Sequence, residues 1–248
     1  MAKSIAINVA ANTNLPGFRG PIYPDGRFVY LPIPEREPTA EPVATYADLL
    51  DRLDPLPFPV DDAILDRRIH LDPEFAEYPG CSRYTYGDEH GVKAGPLAEL
   101  EPGDSLFFYA TLTRHEPPEA VDTGPAVDWV APEWGAYLIG EFRVDRVYDA
   151  AACADLTTSA FASLGVASNA HCKRDPFDAK VLVVGSTDSR LFDRAVPLSS
   201  PDSGATANRL VTELSNDSGK GPWWRRRLWF DAAATDRLRA IVDGDLRL

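Results

Sequence analysis

LAELEPGDSLFFYATLTR, residues 97–114, is the clearest structural signal in this chain of 248 residues. Its first residues, 97–100, are typical of a short helical turn, which Pro102-Gly103 then ends. The following residues, 105–113, are mainly aromatic, apolar or β-branched, as in a buried strand. The segment therefore predicts a helical turn that leads directly into a central strand of the core.

A second long strand is predicted at GAYLIGEFRVDRVY, residues 135–148, where apolar residues alternate along most of the segment. The alternation breaks at Gly140-Glu141, and a glycine inside a strand often marks a bulge. Together with residues 105–113, this segment predicts a central sheet with two long strands joined by a polar connection.

Other elements are predicted on both sides of these two strands. Shorter strands are expected at residues 4–10, 27–33 and 180–186. Helices are expected in four places: after Thr45, with Asp48 in a capping box; over residues 151–165; over residues 203–214; and from Asp231 to Gly244. The chain is therefore predicted to be an α+β protein, with a mixed sheet or a small β-barrel and flanking helices, in a single domain over residues 1–248.

The composition indicates a globular chain, since 44% of its residues are hydrophobic and 10% are aromatic. No run approaches the 18 or so apolar residues of a membrane helix, and the first residues lack a signal-peptide pattern. We therefore expect a cytoplasmic protein with no membrane partner. The three cysteines, Cys81, Cys153 and Cys172, form no Cys-x-x-Cys pair, which is typical of reduced thiols and argues against a cysteine-based zinc site.

The charge of the chain is strongly acidic, with 38 Asp and Glu against 25 Lys and Arg and a net charge of -13. Only 5 of the basic residues are Lys, and Asp outnumbers Glu by 25 to 13. This pattern favours a halophilic protein, because concentrated salt screens the repulsion between surface charges. The alternative is an ordinary acidic protein that avoids nucleic acid. In molar salt the net charge no longer excludes a nucleic-acid partner.

The middle of the chain resembles PUA-like barrels, which include the EVE and ASCH families. The resemblance rests on the Gly-Asp turn before the aromatic strand, the variable polar connection and the interrupted second strand. It implies a small β-barrel core at roughly residues 93–186, with a cleft for RNA or for a flipped modified base in DNA. The alternative is that two strands of any mixed sheet produce the same pattern.

A second resemblance covers most of the chain. The ordered succession of the loop NTNLPGFRG, then TYADLL, HLDPE, VLVVGS and WWRRRLWF is similar to the third class of nucleotide modification associated domains. This resemblance implies a protein associated with the modification of DNA bases. The implied partners are a nucleic acid or nucleotide, and a DNA-modification enzyme.

Candidate catalytic residues occur in two segments, IHLDPE and SNAHCKRD. His70 and Asp72 in the first, and His171 in the second, are suited to general acid–base chemistry on a base or its sugar. The alternative is that Asp72-Pro73-Glu74 is an ordinary turn or the start of a helix. Cys172 next to His171 is a less favoured nucleophile, because neighbouring side chains rarely point at one another.

Candidate ligand-binding residues offer amide, guanidinium or aromatic groups: Asn14, Arg19, Tyr84, Tyr86, Asn169 and Trp224. A planar guanidinium beside glycines suits a phosphate, and a base stacks on Tyr or Trp next to Arg. The predicted cleft is formed by the first loop, the Tyr84/Tyr86 segment and the turn at residues 169–171. The alternatives are that the asparagines cap turns and that Trp224 belongs to a core lid.

Neither a metal nor a cofactor is predicted from sequence motifs. The four histidines show no His-x-x-x-His spacing, and no Gly-rich phosphate loop or Gly-x-Ser-x-Gly motif is present. The leading hypothesis is a base-modification-associated protein that engages a nucleobase or nucleotide in a cleft. Enzyme and non-catalytic reader of modified bases both remain open, as does a structural partner of a modification enzyme.

Overall fold

The computed structural model describes residues 2–122, 124–244 and 246. The strands are β1 (Ser4–Asn8), β2 (Pro21–Ile22), β3 (Ile33–Pro34), β4 (Ile69–His70), β5 (Thr85–Asp88), β6 (Ser105–Arg114), β7 (Trp134–Tyr148), β8 (Val181–Gly185), β9 (Arg190–Pro197), β10 (Ser199–Ser200), β11 (Ser203–Ala207) and β12 (Leu228–Phe230). The helices are α1 (Tyr46–Leu50), α2 (Asp62–Leu65), α3 (Gly91–Ala98), α4 (Ala150–Asp155), α5 (Thr158–Leu164), α6 (Arg209–Thr212) and α7 (Ala232–Val242). Among these residues, no helix combines the length and the hydrophobicity that crossing a membrane requires.

Within the described residues, eight strands form one mixed sheet. Six of them follow the order β12, β1, β6, β7, β8 and β5, while β2 pairs with β6 and β9 pairs with β7. β1 is parallel to β6 and antiparallel to β12, and β8 is antiparallel to both β5 and β7. The predicted α+β class is confirmed, in its mixed-sheet form with flanking helices.

The chain divides into two compact units. The first consists of Met1–Leu31, Asp104–Glu141 and Phe192–Leu248, and the second of Pro32–Gly103 and Phe142–Leu191. The division falls inside β7, so each unit contains part of this strand. A single domain over residues 1–248 and a PUA-like core at roughly 93–186 stay predictions.

The first unit is built on the parallel pair of β1 and β6, in which Ile5 lies opposite Leu106. Residues 105–112 of β6 are buried whichever face they point to. Burial on both faces explains why this strand is a continuous apolar run rather than an alternating one. α7 packs Leu238 into the same core beside Trp223, and both side chains are fully buried.

The second unit contains β4, β5 and β8 with helices α1 to α5. α1 begins after Thr45, which forms with Asp48 the predicted capping box. α5 ends at Gly165, whose φ of 73° is in the left-handed region that glycine adopts easily. β5 is buried along its whole length. This buried strand, with β4 and the segment after α5, positions the candidate site.

Two helix predictions need correction. Residues 203–214 were expected to be one helix, but Ser203–Ala207 is the strand β11, paired with β10. The helix α6 is only Arg209–Thr212, and the Asn208 side chain caps its start. Residues 151–165 form two helices, because Leu156 has an extended backbone that ends α4. Within the strand expected at 27–33, only Ile33 belongs to a strand, where β3 begins, and Phe28 forms an isolated bridge to Ile22.

Candidate functional site

His70, Asp72 and His171, the three residues predicted to act in catalysis, lie together in the interior of the second unit. His70 ends β4, Asp72 follows two residues later, and His171 begins the short 3-10 helix His171–Lys173. The centroids of the two imidazole rings are 4.8 Å apart, and the rings are nearly perpendicular. All three side chains are buried. The fold therefore joins two segments that are distant in the sequence.

A carboxylate holds each histidine through its Nδ1 atom. Nδ1 of His70 lies 2.6 Å from Oε2 of Glu35, and Nδ1 of His171 lies 2.8 Å from Oδ1 of Asp178. Burial would raise the pKa of both carboxyls, but the histidines and Arg174 hold the pKa of Glu35 at about 2 and the pKa of Asp178 below its usual range. An ionised carboxylate only accepts hydrogen bonds, so we assign a proton to each Nδ1. The lone pair of a neutral ring is then on Nε2. Burial would lower the pKa of His171, but its hydrogen bond to Asp178 and the Asp72 carboxylate raise that pKa above its usual value.

Arg174 connects the two anchoring carboxylates. Its Nη2 atom lies 3.0 Å from Oε1 of Glu35, and its Nη1 atom lies 2.6 Å from Oδ2 of Asp178. The arginine is itself buried, with 8% of its surface exposed. A planar guanidinium with five donors suits two carboxylates at once. The orientation of both histidines therefore depends on one residue.

Asp72 faces the Nε2 side of both rings. Its Oδ2 atom lies 4.0 Å from Nε2 of His70 and 3.7 Å from Nε2 of His171, which is too far for a hydrogen bond. The carboxylate accepts hydrogen bonds from the Asn169 side chain at 2.9 Å and from the Gly87 backbone at 3.0 and 3.1 Å. Burial raises the pKa of Asp72 to about 7, although His171 and these donors oppose the shift.

The strand β5 shapes the site at Gly87. A Cβ atom at this position would lie 2.5 Å from Cδ2 of His171, so only glycine lets the imidazole pack against the strand. Beyond the end of β5, Oε2 of Glu89 lies 3.5 Å from Nε2 of His171. The Glu89 side chain is 33% exposed and that of Asp178 is 29% exposed. The cluster therefore reaches solvent beside these two acids.

The same three residues have the donor atoms of a metal site. His70, Asp72 and His171 each offer one ligand atom, and these atoms lie within 4.8 Å of one another. Imidazole nitrogen and carboxylate oxygen are ligands for divalent transition metals. The spacing of the histidines in the sequence gave no indication of this arrangement.

The candidate ligand-binding residues of the second unit have different environments. Asn169 belongs to the cluster, where it also donates to Oγ1 of Thr85 at 3.1 Å. Tyr86 is buried and donates from its hydroxyl to Asp88 at 3.1 Å, whereas Tyr84 donates to Glu77. Tyr86 is almost fully buried, with 3% of its surface exposed, and the binding roles predicted for Tyr84 and Tyr86 stay predictions.

Cys172 is buried directly after His171 in the 3-10 helix. Burial, with nearby acids, raises the pKa of its thiol to about 12. A thiol of this pKa is almost entirely protonated near neutral pH, which argues against the less favoured role as a nucleophile.

The remaining candidates, Asn14, Arg19 and Trp224, belong to the first unit. The Arg19 guanidinium lies 5.0 Å from the ring centroid of Trp134, in cation–π geometry. Trp224 contacts the same ring edge-to-face at 5.2 Å. The Asn14 backbone closes the short 3-10 helix Ala11–Thr13. A single cleft lined by residues of both units stays a prediction.

The sequence analysis missed the residues that orient the histidines. Glu35 lies in a proline-rich segment with no helical or strand period, so nothing singled it out. Arg174 and Asp178 follow the SNAH motif and are four positions apart, so they can form an ion pair. Their spacing does not show which other residues the pair contacts. Only the fold shows that these residues meet Glu35.

Comparison with protein families identifies the class of this chain. The family model described as nucleotide modification associated domain 3 matches residues 3–241. The chain therefore belongs to this family, as its sequence motifs predicted, and is linked by family to nucleotide modification. No curated protein and no solved structure matches the chain.

Proposed function

We propose that this protein is an enzyme that modifies or processes a nucleobase or nucleotide, with His70, Asp72 and His171 at its reaction centre. One observation carries the proposal: two histidines are fixed through Nδ1 by ionised carboxylates and direct Nε2 toward a third, buried carboxylate. Such an arrangement brings the Nε2 atoms of two histidines close to one acid group, either for proton transfer or for binding a cation.

The energetic cost of this cluster supports a functional role. Burying several charged groups is unfavourable unless each has good partners, and apolar residues of similar volume stabilise a core equally well or better. Clusters of buried titratable groups with shifted pKa values are concentrated at functional sites. The pKa values of Glu35 and Asp72 are shifted in opposite directions, to about 2 and about 7. This separation is typical of sites that assign different roles to their acids.

The family to which the chain belongs supports a nucleotide as the substrate. Membership in a nucleotide modification associated family makes a nucleotide, free or within DNA, the substrate class that we propose. The solvent side of the cluster, beside Glu89 and Asp178, is the approach for such a ligand. A DNA-modification enzyme is the accompanying partner that the family association favours.

A second candidate function is a non-catalytic reader of bases. The contact of Arg19 with Trp134, which also packs against Trp224, favours it, because a cation beside aromatic rings suits a stacked base or a phosphate. Arg19 has an Nε atom that is buried without a hydrogen-bond partner. The acid–histidine cluster has no role in this alternative beyond stability.

Incubation with nucleotides distinguishes the two functions. The wild-type protein is incubated with nucleoside mono- and triphosphates and with short DNA containing modified and unmodified bases, and the nucleosides are analysed by mass spectrometry. We expect a changed nucleoside, and a loss of at least about 100-fold in rate for Asp72→Asn and His171→Gln, as for removal of a group that acts in the transition state.

A matched control is His115→Gln, which replaces a half-buried histidine of the other unit. This variant is expected to convert substrate at the wild-type rate. Conversion that survives in Asp72→Asn would refute the proposed centre. Binding without conversion, lost in Arg19→Gln but kept in Asp72→Asn, would establish the reader instead.

A further inference from the structure

We propose that His70, Asp72 and His171 bind one divalent transition-metal ion, through Nε2 of each histidine and Oδ2 of the aspartate. This inference rests on the proposed function, because it names the ligand of the same centre. It is independent of which nucleotide the enzyme accepts. The probe that identifies the site is therefore the metal ion alone.

The distances between the donor atoms favour a common cation. A metal with bonds of about 2.0–2.2 Å to nitrogen and oxygen holds its ligand atoms at most about 4.2–4.4 Å apart. The separations of 4.0 and 3.7 Å between Asp72 Oδ2 and the two Nε2 atoms lie within this limit. The same separations are too long for hydrogen bonds. Oδ2 of Asp72 therefore lies at a distance from both Nε2 atoms that one ion can span, and all three donor atoms lie within 4.8 Å of one another.

The Nδ1 contacts are those of metal-binding histidines. Such histidines usually donate their second N–H to a carboxylate or a carbonyl, which fixes the tautomer and raises the basicity of the ligating nitrogen. Both histidines have this contact, to Glu35 at 2.6 Å and to Asp178 at 2.8 Å. Core packing alone does not require a carboxylate at Nδ1 of both histidines.

The charges around the site also favour a cation. Four carboxylates, those of Glu35, Asp72, Glu89 and Asp178, surround the rings, and Arg174 is shared by three of them. The arginine pairs most closely with the anchoring acids on the Nδ1 side, and its Nη1 atom lies 3.9 Å from Oε2 of Glu89. The Nε2 side has Asp72 and Glu89 near His171. A divalent ion on that side would offset the negative charge.

The donor set indicates the class of metal. Two imidazoles and one carboxylate suit Zn²⁺, Fe²⁺, Co²⁺ or Mn²⁺, whereas Mg²⁺ and Ca²⁺ prefer oxygen ligands alone. Three protein ligands are fewer than the four to six that these ions take, so a water molecule or a substrate oxygen has room to bind. Glu89, with Oε2 3.5 Å from Nε2 of His171, is the acid nearest to that position on the solvent side.

The first experiment measures metal binding to the full chain without substrate. The protein is stripped with a chelator and titrated with Zn²⁺ and Co²⁺ by calorimetry, and the bound ion is counted by native mass spectrometry. We expect one ion per chain, with affinity reduced at least 100-fold in His171→Gln and Asp72→Asn and unchanged in His115→Gln. Wild-type affinity in both site variants, or no bound ion in the wild type, would overturn the inference.

A second measurement needs no variant and therefore does not depend on whether the substituted proteins fold. X-ray absorption spectra of the wild-type protein loaded with one equivalent of Zn²⁺ count the imidazole ligands. We expect two imidazoles and additional oxygen ligands. A shell of oxygen alone, or one that contains sulfur, would place the ion elsewhere and overturn the inference.

The two proposals fail in different ways. Failure of the protein to bind an ion at these ligands, together with nucleotide conversion by the metal-free protein, would remove the metal inference and leave the proposed function intact. One bound ion at these ligands, with no conversion of any nucleotide in the panel, would count against the proposed function and leave the metal site standing.

Discussion

The side-chain amide of Asn169 donates a hydrogen bond of 2.9 Å to Oδ1 of Asp72, while the other oxygen of that carboxylate faces the two histidines. The amide therefore sets the rotation of the carboxylate. We expect Asn169→Ala to lower metal affinity and nucleotide conversion by about 10- to 100-fold, as is usual for partners of metal ligands. Calorimetry with Zn²⁺ measures the first effect. Asn216→Ala, at an exposed asparagine of the other unit, serves as the control, and equal affinities for the two variants would contradict the orienting role.

Gly87 and Gly95 give a matched pair of substitutions. A Cβ atom at Gly87 would press on the His171 ring at 2.5 Å, whereas nothing lies within 4 Å of one at Gly95 in α3. We expect Gly87→Ala to displace the imidazole and abolish Zn²⁺ binding. Gly95→Ala is expected to retain binding, because beyond its chain neighbours its Cβ atom meets nothing within 4 Å. Wild-type Zn²⁺ affinity in Gly87→Ala would show that the His171 ring can shift without loss of the metal site.

Removal of Arg174 is expected to destabilise the second unit. Arg174→Gln leaves the buried Glu35 carboxylate without its guanidinium partner, and an uncompensated buried charge costs about 3–5 kcal/mol. Urea denaturation measures the free energy of unfolding. Arg209→Gln is the control, since Arg209 pairs with Glu213 on the surface and such pairs contribute at most about 1 kcal/mol. Similar values for both variants would mean that the buried network does not stabilise the fold.

Asp25 predicts a pH dependence of stability in the first unit. Burial would raise the pKa of its carboxyl, but the backbone N–H groups of Arg27 and Gly124 and the Arg27 guanidinium hold it below its ordinary value. A lowered folded-state pKa stabilises above the unfolded pKa of about 3.9, and this contribution disappears as the pH falls through the folded value.

We therefore expect Asp25→Asn to be less stable than the wild type by about 1–3 kcal/mol at pH 7. The difference should shrink below about pH 4, where the wild-type carboxyl takes up its proton. Thermal or urea unfolding between pH 3 and pH 7 measures it. Asp145→Asn, at an exposed side chain, should follow the wild-type curve. A constant difference over the whole range would exclude the ionised carboxylate as the cause.

The net charge of -13 predicts stabilisation by salt. Screening reduces repulsion between surface carboxylates, because the Debye length falls from about 10 Å at 0.1 M to about 3 Å at 1 M. We expect the free energy of unfolding to rise as KCl is increased over this range. Urea titrations at several KCl concentrations measure it. A flat or falling dependence would favour the ordinary acidic protein over the halophilic one.

Local signals explain which elements were predictable. The apolar run of residues 105–113 and the alternation of 135–148 correspond to β6 and β7, and the caps at Thr45 and Asp231 are present. Ser203–Ala207 was misread as helix, because its small residues have little preference and the pairing with β10 decides its structure. Secondary structure that depends on a distant partner has no local signature.

The candidate site was predictable only in part. The chemistry of His70, Asp72 and His171 attracted attention in the sequence, and the structure brings all three together. Their roles in catalysis stay predictions. Glu35 could not be recognised, because its significance lies in a hydrogen bond to a histidine on another element. A sequence displays donor and acceptor groups but not the pairs that folding forms from them.

Glu35 and Arg174, which hold the two histidines in place, are separated by 139 positions in the chain. Closing so long a loop has an entropic cost that is met only once the surrounding native contacts form. The cluster therefore exists only after the second unit has reached its native topology. During synthesis, a growing chain has no complete centre until Asp178 has left the ribosome. Each new molecule therefore assembles this cluster only late in its own translation.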